Sequence, residues 1–114
     1  MKFAQQRGFR RHLDFGSGVG SAGILFGRHG FDVTLWDISA NLLAFSTWRV
    51  QRRHLAVTSL DLKSTRLPPA SFDIVTAMDG WEHLADPVAV VDQLAETLAP
   101  RGFYWFQLVK DEPE

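Results

Sequence analysis

The chain has 114 residues, of which 46% are hydrophobic and 22% charged, a composition typical of one ordinary globular domain, here residues 1–114. Its formal net charge of −1 gives no overall attraction to nucleic acid or to an anionic membrane. The absence of cysteine excludes a disulfide framework and a thiolate metal site. Residues 1–11 lack the apolar centre of a signal peptide, and no apolar run is long enough to span a bilayer, so we expect a cytoplasmic protein.

Short apolar runs alternate with segments of helical periodicity along the whole chain. Ser21 and Ser39 are predicted to cap the first two helices, and Asp86-Pro87 is a typical helix start. The alternation predicts an α/β sandwich with a parallel sheet and right-handed crossovers. The predicted elements are strands over 10–15, 31–37, 55–61, 72–78 and 103–109, and helices over 21–30, from 40 onward and over 87–98.

A glycine-rich loop, "LDFGSGVGSAG" over residues 13–23, follows the first strand and can be read in two frames. From Asp14 it is D-x-G-x-G-x-G, and from Gly18 it is G-x-G-x-x-G, which is a dinucleotide-binding pattern. Asp37 closes the second strand, where a carboxylate can accept hydrogen bonds from both hydroxyls of a ribose. Its spacing does not separate the two frames, because Asp37 lies 19 positions after Gly18, close to the spacing of about 20 expected for a dinucleotide site.

The position of Asp14 favours the first frame. A carboxylate beside the glycine turn would repel the two charges of a pyrophosphate. A ligand with an ammonium group would be attracted instead. This favours the amino-acid end of S-adenosylmethionine, with its carboxylate toward the start of the following helix.

Five motifs, in order, resemble those of class I S-adenosylmethionine-dependent methyltransferases, in particular a ubiquinone-biosynthesis-like small-molecule methyltransferase domain. They are "HLDFGSGVG", "VTLWDIS", "SLDL", "LPPASFDIVTAMDGWEHLADP" and "LAPRGFYWF". The resemblance covers about residues 10–109 and implies a Rossmann-like three-layer sandwich. Its mostly parallel sheet would have about five strands in the order 3-2-1-4-5.

The resemblance also implies roles for individual residues in binding S-adenosylmethionine and its product S-adenosylhomocysteine. Asp37 would bind the ribose, Ile38 would pack on the adenine face, and Asp61 and Leu62 would contact the adenine edge. The residues expected around the methionine moiety are Asp14, Gly16, Ser17 and Gly18, with Gly20 allowing close packing of loop and helix.

Catalytic groups are expected just after the fourth strand. Methyl transfer needs a positioned acceptor more than a strong catalyst, and a general base only if the acceptor must lose a proton. Asp79 would face the methyl group, and a base would come from Asp79, Glu82 or His83. Alternatively, Glu82 and His83 are polar partners of the following helix. The acceptor is unidentified and expected to be a small molecule.

The sequence departs from the family pattern in two places, of which the first is peripheral and the second bears on function. Arg101 replaces a glycine in the turn before the fifth strand. The family sheet has seven strands, so this chain is expected to lack the last two and to expose its fifth strand as an edge, through which it could oligomerise. Two alternatives therefore stay open, a non-catalytic cofactor-binding module and, in the second glycine frame, an NAD(P)-dependent oxidoreductase.

Other polar and aromatic residues are given structural roles. Asp73 is expected in a cap or turn before the fourth strand, and His12, His29 and His54 on the surface. Trp36 and Trp48 are expected in the core or at its margin.

Overall fold

The computed structural model describes residues 5–37, 39–60, 69–77 and 87–106, with the backbone alone at 87–91, 101 and 103–106. Five parallel strands form one sheet in the order β3-β2-β1-β4-β5, which confirms the predicted fold class and strand order. The elements are β1 (Arg11–Phe15), α1 (Ser21–Arg28), β2 (Asp32–Trp36), α2 (Ala40–Arg52), β3 (Val57–Ser59), β4 (Phe72–Ala77), α3 (Pro87–Thr97) and β5 (Leu98–Phe106).

Helices cover both faces of the sheet because successive strand residues point to opposite sides. On one face, Ile24 and Phe26 of α1 and Val50 of α2 pack with Val33 and Leu35 of β2. On the other face, the core is built by another set: Leu13, Phe15, Phe72, Val75, Ala77 and Leu94, the last from α3. The chain is therefore a three-layer sandwich, as predicted.

The two helices on the first face begin in different ways. Ser39 caps α2 as predicted, and its side chain accepts a hydrogen bond of 3.2 Å from the Leu42 N–H. The prediction that Ser21 caps α1 is wrong, because the cap is Gly20 and Ser21 is the first helical residue. Gly20 has φ +88°, a left-handed conformation that a serine would adopt only with strain. The start of α1 therefore has no side-chain cap.

β5 begins earlier than predicted and pairs irregularly with β4. Phe72 pairs with Leu98, but two residues further along β4 Ile74 already pairs with Phe103. The extra residues of β5 include Gly102, where an added Cβ would lie 2.8 Å from Leu98 Cδ2 and 2.9 Å from the Ala99 carbonyl oxygen. The close approach of the chain to itself explains why the turn before the predicted strand needs glycine at this position.

Asp73 lies inside β4, so its assignment to a cap or turn before the strand is wrong. Its Oδ2 accepts hydrogen bonds of 2.9 Å from the backbone N–H groups of Arg10 and Arg11, and Oδ1 lies 2.9 Å from Arg11 Nη2. Burial alone would raise the pKa of Asp73, but these hydrogen bonds and the Arg11 charge outweigh it and lower the pKa. Asp73 thus joins the start of β4 to the start of β1.

Two of the predicted burials are also wrong. His12 is fully buried, because its position in β1 points to the face covered by α1. Trp48 is 51% exposed, since it lies on the outer side of α2, where it stacks on Phe45 and under the Arg52 guanidinium. Trp36 is half-buried against Phe15, and His29 and His54 are exposed, as predicted.

Within the described ranges, no helix combines the length and apolar character needed to cross a membrane.

Candidate functional site

The candidate site lies where β1 and β2 end, at the edge of the sheet where open α/β folds bind ligands. The loop between β1 and α1, residues 16–20, is fastened to the end of β2. The N–H groups of Gly16 and Ser17 donate to the Trp36 carbonyl oxygen at 2.8 and 2.7 Å, and the Gly20 N–H donates to the Ser17 carbonyl oxygen at 2.8 Å. The loop is thus a tight turn held against the neighbouring strand.

Three glycines allow this turn. Gly16, Gly18 and Gly20 have φ values of +80°, +53° and +88°, all in the left-handed region. At Gly20 an added Cβ would also lie 3.0 Å from Ser46 Cβ and 3.2 Å from the Ser46 backbone. Glycine is needed at Gly20 both for its conformation and for the close approach of the loop to α2.

Asp37 connects the glycine loop to the start of α2. Its Oδ2 accepts a 2.8 Å hydrogen bond from the Gly18 N–H, and its Oδ1 accepts one of 2.8 Å from the Ser39 N–H. A carboxylate has about four acceptor positions, so these two bonds leave capacity for further donors. The Asp37 side chain is half-buried beside the loop, where a ligand hydroxyl could reach it.

The start of α1 supplies a second polar feature beside the loop. Gly20 has no side chain that could accept from the first N–H groups of the helix, so no side chain caps it. Uncapped helix starts favour anions because their N–H groups and the helix dipole both present positive charge. The loop and α1 together could therefore hold a carboxylate.

Asp14 lies in β1, two residues before the loop, and is 2% exposed. Its Oδ1 accepts a 3.0 Å hydrogen bond from the Thr76 hydroxyl, which in turn lies 2.8 Å from Nε2 of the buried His12. The sequence predicted Asp14 at this strand end. It did not predict Thr76 or His12 beside it, since His12 is expected on the surface and Thr76 is 62 residues away.

The side chain of Ser17 contacts α2. Its hydroxyl is buried and lies 2.9 Å from the Ser46 hydroxyl of α2, which donates to the Leu43 carbonyl oxygen at 3.1 Å. The Ser17 side chain thus fixes the loop on α2. Sequence reasoning did not find Ser46, because a serine inside a helical pattern has no local signal of such a contact.

Gly23 does not distinguish the two glycine frames. An added Cβ there would lie 2.8 Å from Leu35 Cδ2, so the glycine lets α1 pack closely on β2. Gly23 therefore has a packing role. The third glycine of a dinucleotide-binding pattern has the same role, however, so the choice of frame needs other support.

Several predicted site residues lie outside the described residues. They are Ile38, Asp61, Leu62, Asp79, Glu82 and His83. The structure therefore brings together Asp14, the glycine loop and Asp37. Among the residues that the structure describes, no group of three histidine, aspartate or glutamate side chains could hold a metal ion.

A parallel sheet of this order, with a glycine loop after β1 and a carboxylate after β2, defines a class of nucleotide-binding α/β proteins. Comparison with known families is more specific. A family model described as a methyltransferase domain matches residues 1–113. The chain belongs to this methyltransferase domain family, within the class I S-adenosylmethionine-dependent methyltransferases. Membership favours the D-x-G-x-G-x-G frame.

Individual relatives agree with this assignment. The ubiquinone biosynthesis O-methyltransferase of Paracidovorax citrulli is 34% identical over 108 residues, covering 88% of this chain and 44% of that protein. A solved S-adenosylmethionine dependent methyltransferase from Mesorhizobium loti is 25% identical, with a TM-score of 0.70 over 84% of this chain and 45% of that one. Phosphoethanolamine N-methyltransferase 2 of Haemonchus contortus, solved with S-adenosyl-L-methionine, is 29% identical, with a TM-score of 0.75 over 86% of this chain and 24% of that one. The chain thus spans less than half the length of these relatives.

Proposed function

We propose that the chain binds S-adenosylmethionine at the glycine loop and supports transfer of its methyl group to a small-molecule acceptor. The observation that carries the proposal is that two carboxylates lie next to the same loop. Asp37 accepts a hydrogen bond from the Gly18 N–H of the loop, and Asp14 lies buried in β1, two residues before the loop. A cofactor with two ribose hydroxyls at one end and an ammonium group at the other matches this pair.

In this proposal Asp37 binds the ribose. Its bonds from Gly18 and Ser39 hold the carboxylate in place before the ligand arrives, so little freedom is lost on binding. Ile38, Asp61 and Leu62 would complete the adenosine site, as the family resemblance implies.

The amino-acid end of the ligand would lie over the loop. Its carboxylate would meet the uncapped start of α1, and its ammonium group would be attracted by Asp14. Asp14 can act from its buried position because a charge away from water is poorly screened.

When bound, S-adenosylmethionine supplies a methyl group already activated by a sulfonium. The protein then has to orient the acceptor and exclude water. The Paracidovorax citrulli relative is named an O-methyltransferase, which favours a hydroxyl acceptor here. Such an acceptor loses its proton as it is methylated, and we propose Asp79, Glu82 or His83 as the group that takes it. Histidine has the ordinary pKa closest to neutral among these.

Calorimetric titration with S-adenosylhomocysteine tests the binding proposal. We expect saturable binding to the wild-type chain and at least about a tenfold loss of affinity in Asp37→Asn, because the amide nitrogen cannot accept a hydrogen bond. Asp32→Asn is the matched control, since Asp32 is an exposed aspartate at the other end of the same strand. No saturable heat with the wild-type chain, or equal losses in both variants, would contradict the proposal.

Titration with NADH addresses the alternative frame. A dinucleotide site would bind NADH, and removing the Asp14 charge in Asp14→Ala would strengthen that binding. Our proposal predicts no NADH binding by either protein. Cofactor binding without turnover in the presence of acceptors would instead support the non-catalytic module.

Assembly and location complete the proposal. We propose that the β5 edge associates with another copy of the chain, because β5 has β4 as its only strand neighbour in the described sheet. Nucleic acid and membrane are not proposed as partners, on the grounds of the net charge. The cytoplasmic location remains a prediction from the sequence.

A further inference from the structure

Three buried polar side chains form a row between β1 and β4, on the face covered by α1. The Asp14 carboxylate lies 3.0 Å from the Thr76 hydroxyl oxygen, which lies 2.8 Å from Nε2 of His12. His12 and Thr76 are completely buried. Asp14 pairs with Thr76 in the sheet and His12 with Ile74, so the strand register itself brings the three side chains together.

The direction of the hydrogen bonds follows from the chemistry of the three groups. The Thr76 hydroxyl carries one proton, which it donates to Oδ1 of Asp14. The Thr76 oxygen can then accept from His12, which places the imidazole proton on Nε2. Burial lowers the pKa of His12 to about 3, so the ring is neutral and carries one proton.

Packing alone does not account for a histidine at this position. Its Nδ1 is buried and has no hydrogen-bond partner among the described residues, while the ring stacks on Phe26 with centroids 3.9 Å apart. An unsatisfied buried polar atom is unfavourable, and an apolar side chain would fill the same space without it. What the imidazole supplies, and an apolar side chain would not, is the donor to Thr76.

We propose that His12 and Thr76 are positioning residues for cofactor recognition, which orient the buried Asp14 carboxylate toward the ammonium group of the ligand. A threonine hydroxyl can rotate between partners. His12 donates to the Thr76 oxygen, so the Thr76 proton remains directed at Asp14. This inference rests on the proposed function, since it assigns the two residues to the ammonium end of the S-adenosylmethionine site.

Two ligands that differ at that end separate recognition from folding. S-adenosylhomocysteine carries the ammonium group, whereas 5′-methylthioadenosine has the same adenosine and thioether but no amino-acid group. Thr76→Val should weaken S-adenosylhomocysteine binding about tenfold, the loss expected for one hydrogen bond to a charged group. His12→Phe keeps a stacked ring but removes the donor, and should weaken it about threefold. Both variants should bind 5′-methylthioadenosine within about twofold of the wild-type chain.

Conservative variants and an exposed control complete the experiment. Thr76→Ser and His12→Gln retain a hydroxyl and a side-chain N–H donor, so both should recover most of the S-adenosylhomocysteine affinity. Thr58→Val repeats the threonine change at an exposed position of β3 and should bind both ligands as the wild-type chain does. Thermal unfolding sets a titration temperature at which each variant is folded.

The outcomes distinguish the two proposals. Parallel losses for both ligands, or unchanged binding of S-adenosylhomocysteine in Thr76→Val and His12→Phe, would overturn the positioning role while leaving the proposed function intact. Failure of the wild-type chain to bind S-adenosylhomocysteine would overturn the proposed function, and the positioning role with it.

Discussion

Three aspartates lie close to strand ends, and each is held by donors from a different part of the chain. Asp37 accepts from the loop before α1 and from the start of α2, Asp14 from β4, and Asp73 from the residues at the start of β1. Asp14 and Asp37 lie at the carboxyl ends of their strands, whereas Asp73 lies near the amino end of β4. Position along the strand therefore separates the two candidate ligand-binding carboxylates from the structural one.

We expect Asp73→Asn to lower the free energy of unfolding by about 1 kcal/mol at neutral pH, because the Arg11 ion pair is partly exposed and the amide keeps one acceptor. The pKa of Asp73 is lowered in the folded chain, so its contribution is present above the unfolded pKa and is lost as pH falls through the folded one. The difference from wild type should therefore shrink below about pH 4. Urea unfolding across pH measures it, with Asp32→Asn as the exposed control. A difference independent of pH would contradict the ion pair.

His12 should make the folded chain sensitive to mild acid. Its pKa falls from 6.5 to about 3 on folding, so between these values the unfolded chain binds a proton that the folded chain does not. The contribution of His12 to the free energy of unfolding is therefore fully present above about pH 6.5. Below that pH the free energy of unfolding falls by up to about 1.4 kcal/mol per pH unit. Urea unfolding at pH 7.5, 6 and 5 should show this loss in wild type and in His29→Gln, but not in His12→Gln. The same slope in all three proteins would show that His12 is not responsible.

At the scale of elements, α1 is constrained by close backbone contacts with two neighbouring elements. Its start is set by Gly20 against Ser46 of α2, and its middle by Gly23 against Leu35 of β2. Both contacts bring backbone close to another element, which a side chain would prevent. The glycine loop is therefore shaped by packing against α2 and β2 as well as by any ligand.

Alanine at Gly20 should test this packing. Gly20 and Gly30 have similar φ values, +88° and +83°, but an added Cβ meets Ser46 at 3.0 Å at Gly20 and nothing within 4 Å at Gly30. Gly30→Ala should cost about 1 kcal/mol from backbone strain alone, and Gly20→Ala about 1–3 kcal/mol more. Urea unfolding compares them, and calorimetry should show lost S-adenosylhomocysteine binding only in Gly20→Ala. Equal costs would mean that the loop moves freely away from α2.

At the scale of the whole molecule, the described sheet ends in two different edges. β3 is three residues long, with two exposed residues, whereas β5 extends over nine residues. A short edge gives little for another chain to pair with, and a long apolar edge gives much. We therefore expect association through β5 and not through β3.

Light scattering over a range of concentrations should report a mass above the 12.9 kDa of one chain. A charge in β5, Tyr104→Lys, should shift the mass toward that of one chain by repulsion between paired edges. The same charge in β3, Ser59→Lys, should leave the mass unchanged. A single-chain mass at every concentration would contradict association through β5.

The bounds of three strands could be predicted closely from the sequence. The strands at 11–15, 32–36 and 72–77 lie within one residue of their predicted bounds at each end, because their apolar runs are bounded by glycine, aspartate and serine. The start of β5 is predicted too late, since Leu98 continues the helical spacing of α3 and residues 99–102 contain the proline and glycine typical of a turn. The choice of Gly20 over Ser21 as the cap of α1 depends on a positive φ that a local pattern does not reveal.

The local sequence pattern was sufficient to predict the type of the elements and their order along the chain. It was also sufficient to predict the glycine loop and the positions of Asp14 and Asp37 at strand ends. Periodicity, turn residues and caps act over a few residues, so they can be recognised without the fold. Only the packed sheet determined that His12 and Thr76 join Asp14, that Asp37 holds Gly18, and that Gly20 meets Ser46. These contacts join residues 19 to 64 positions apart, and they depend on strand register and on which face each helix covers.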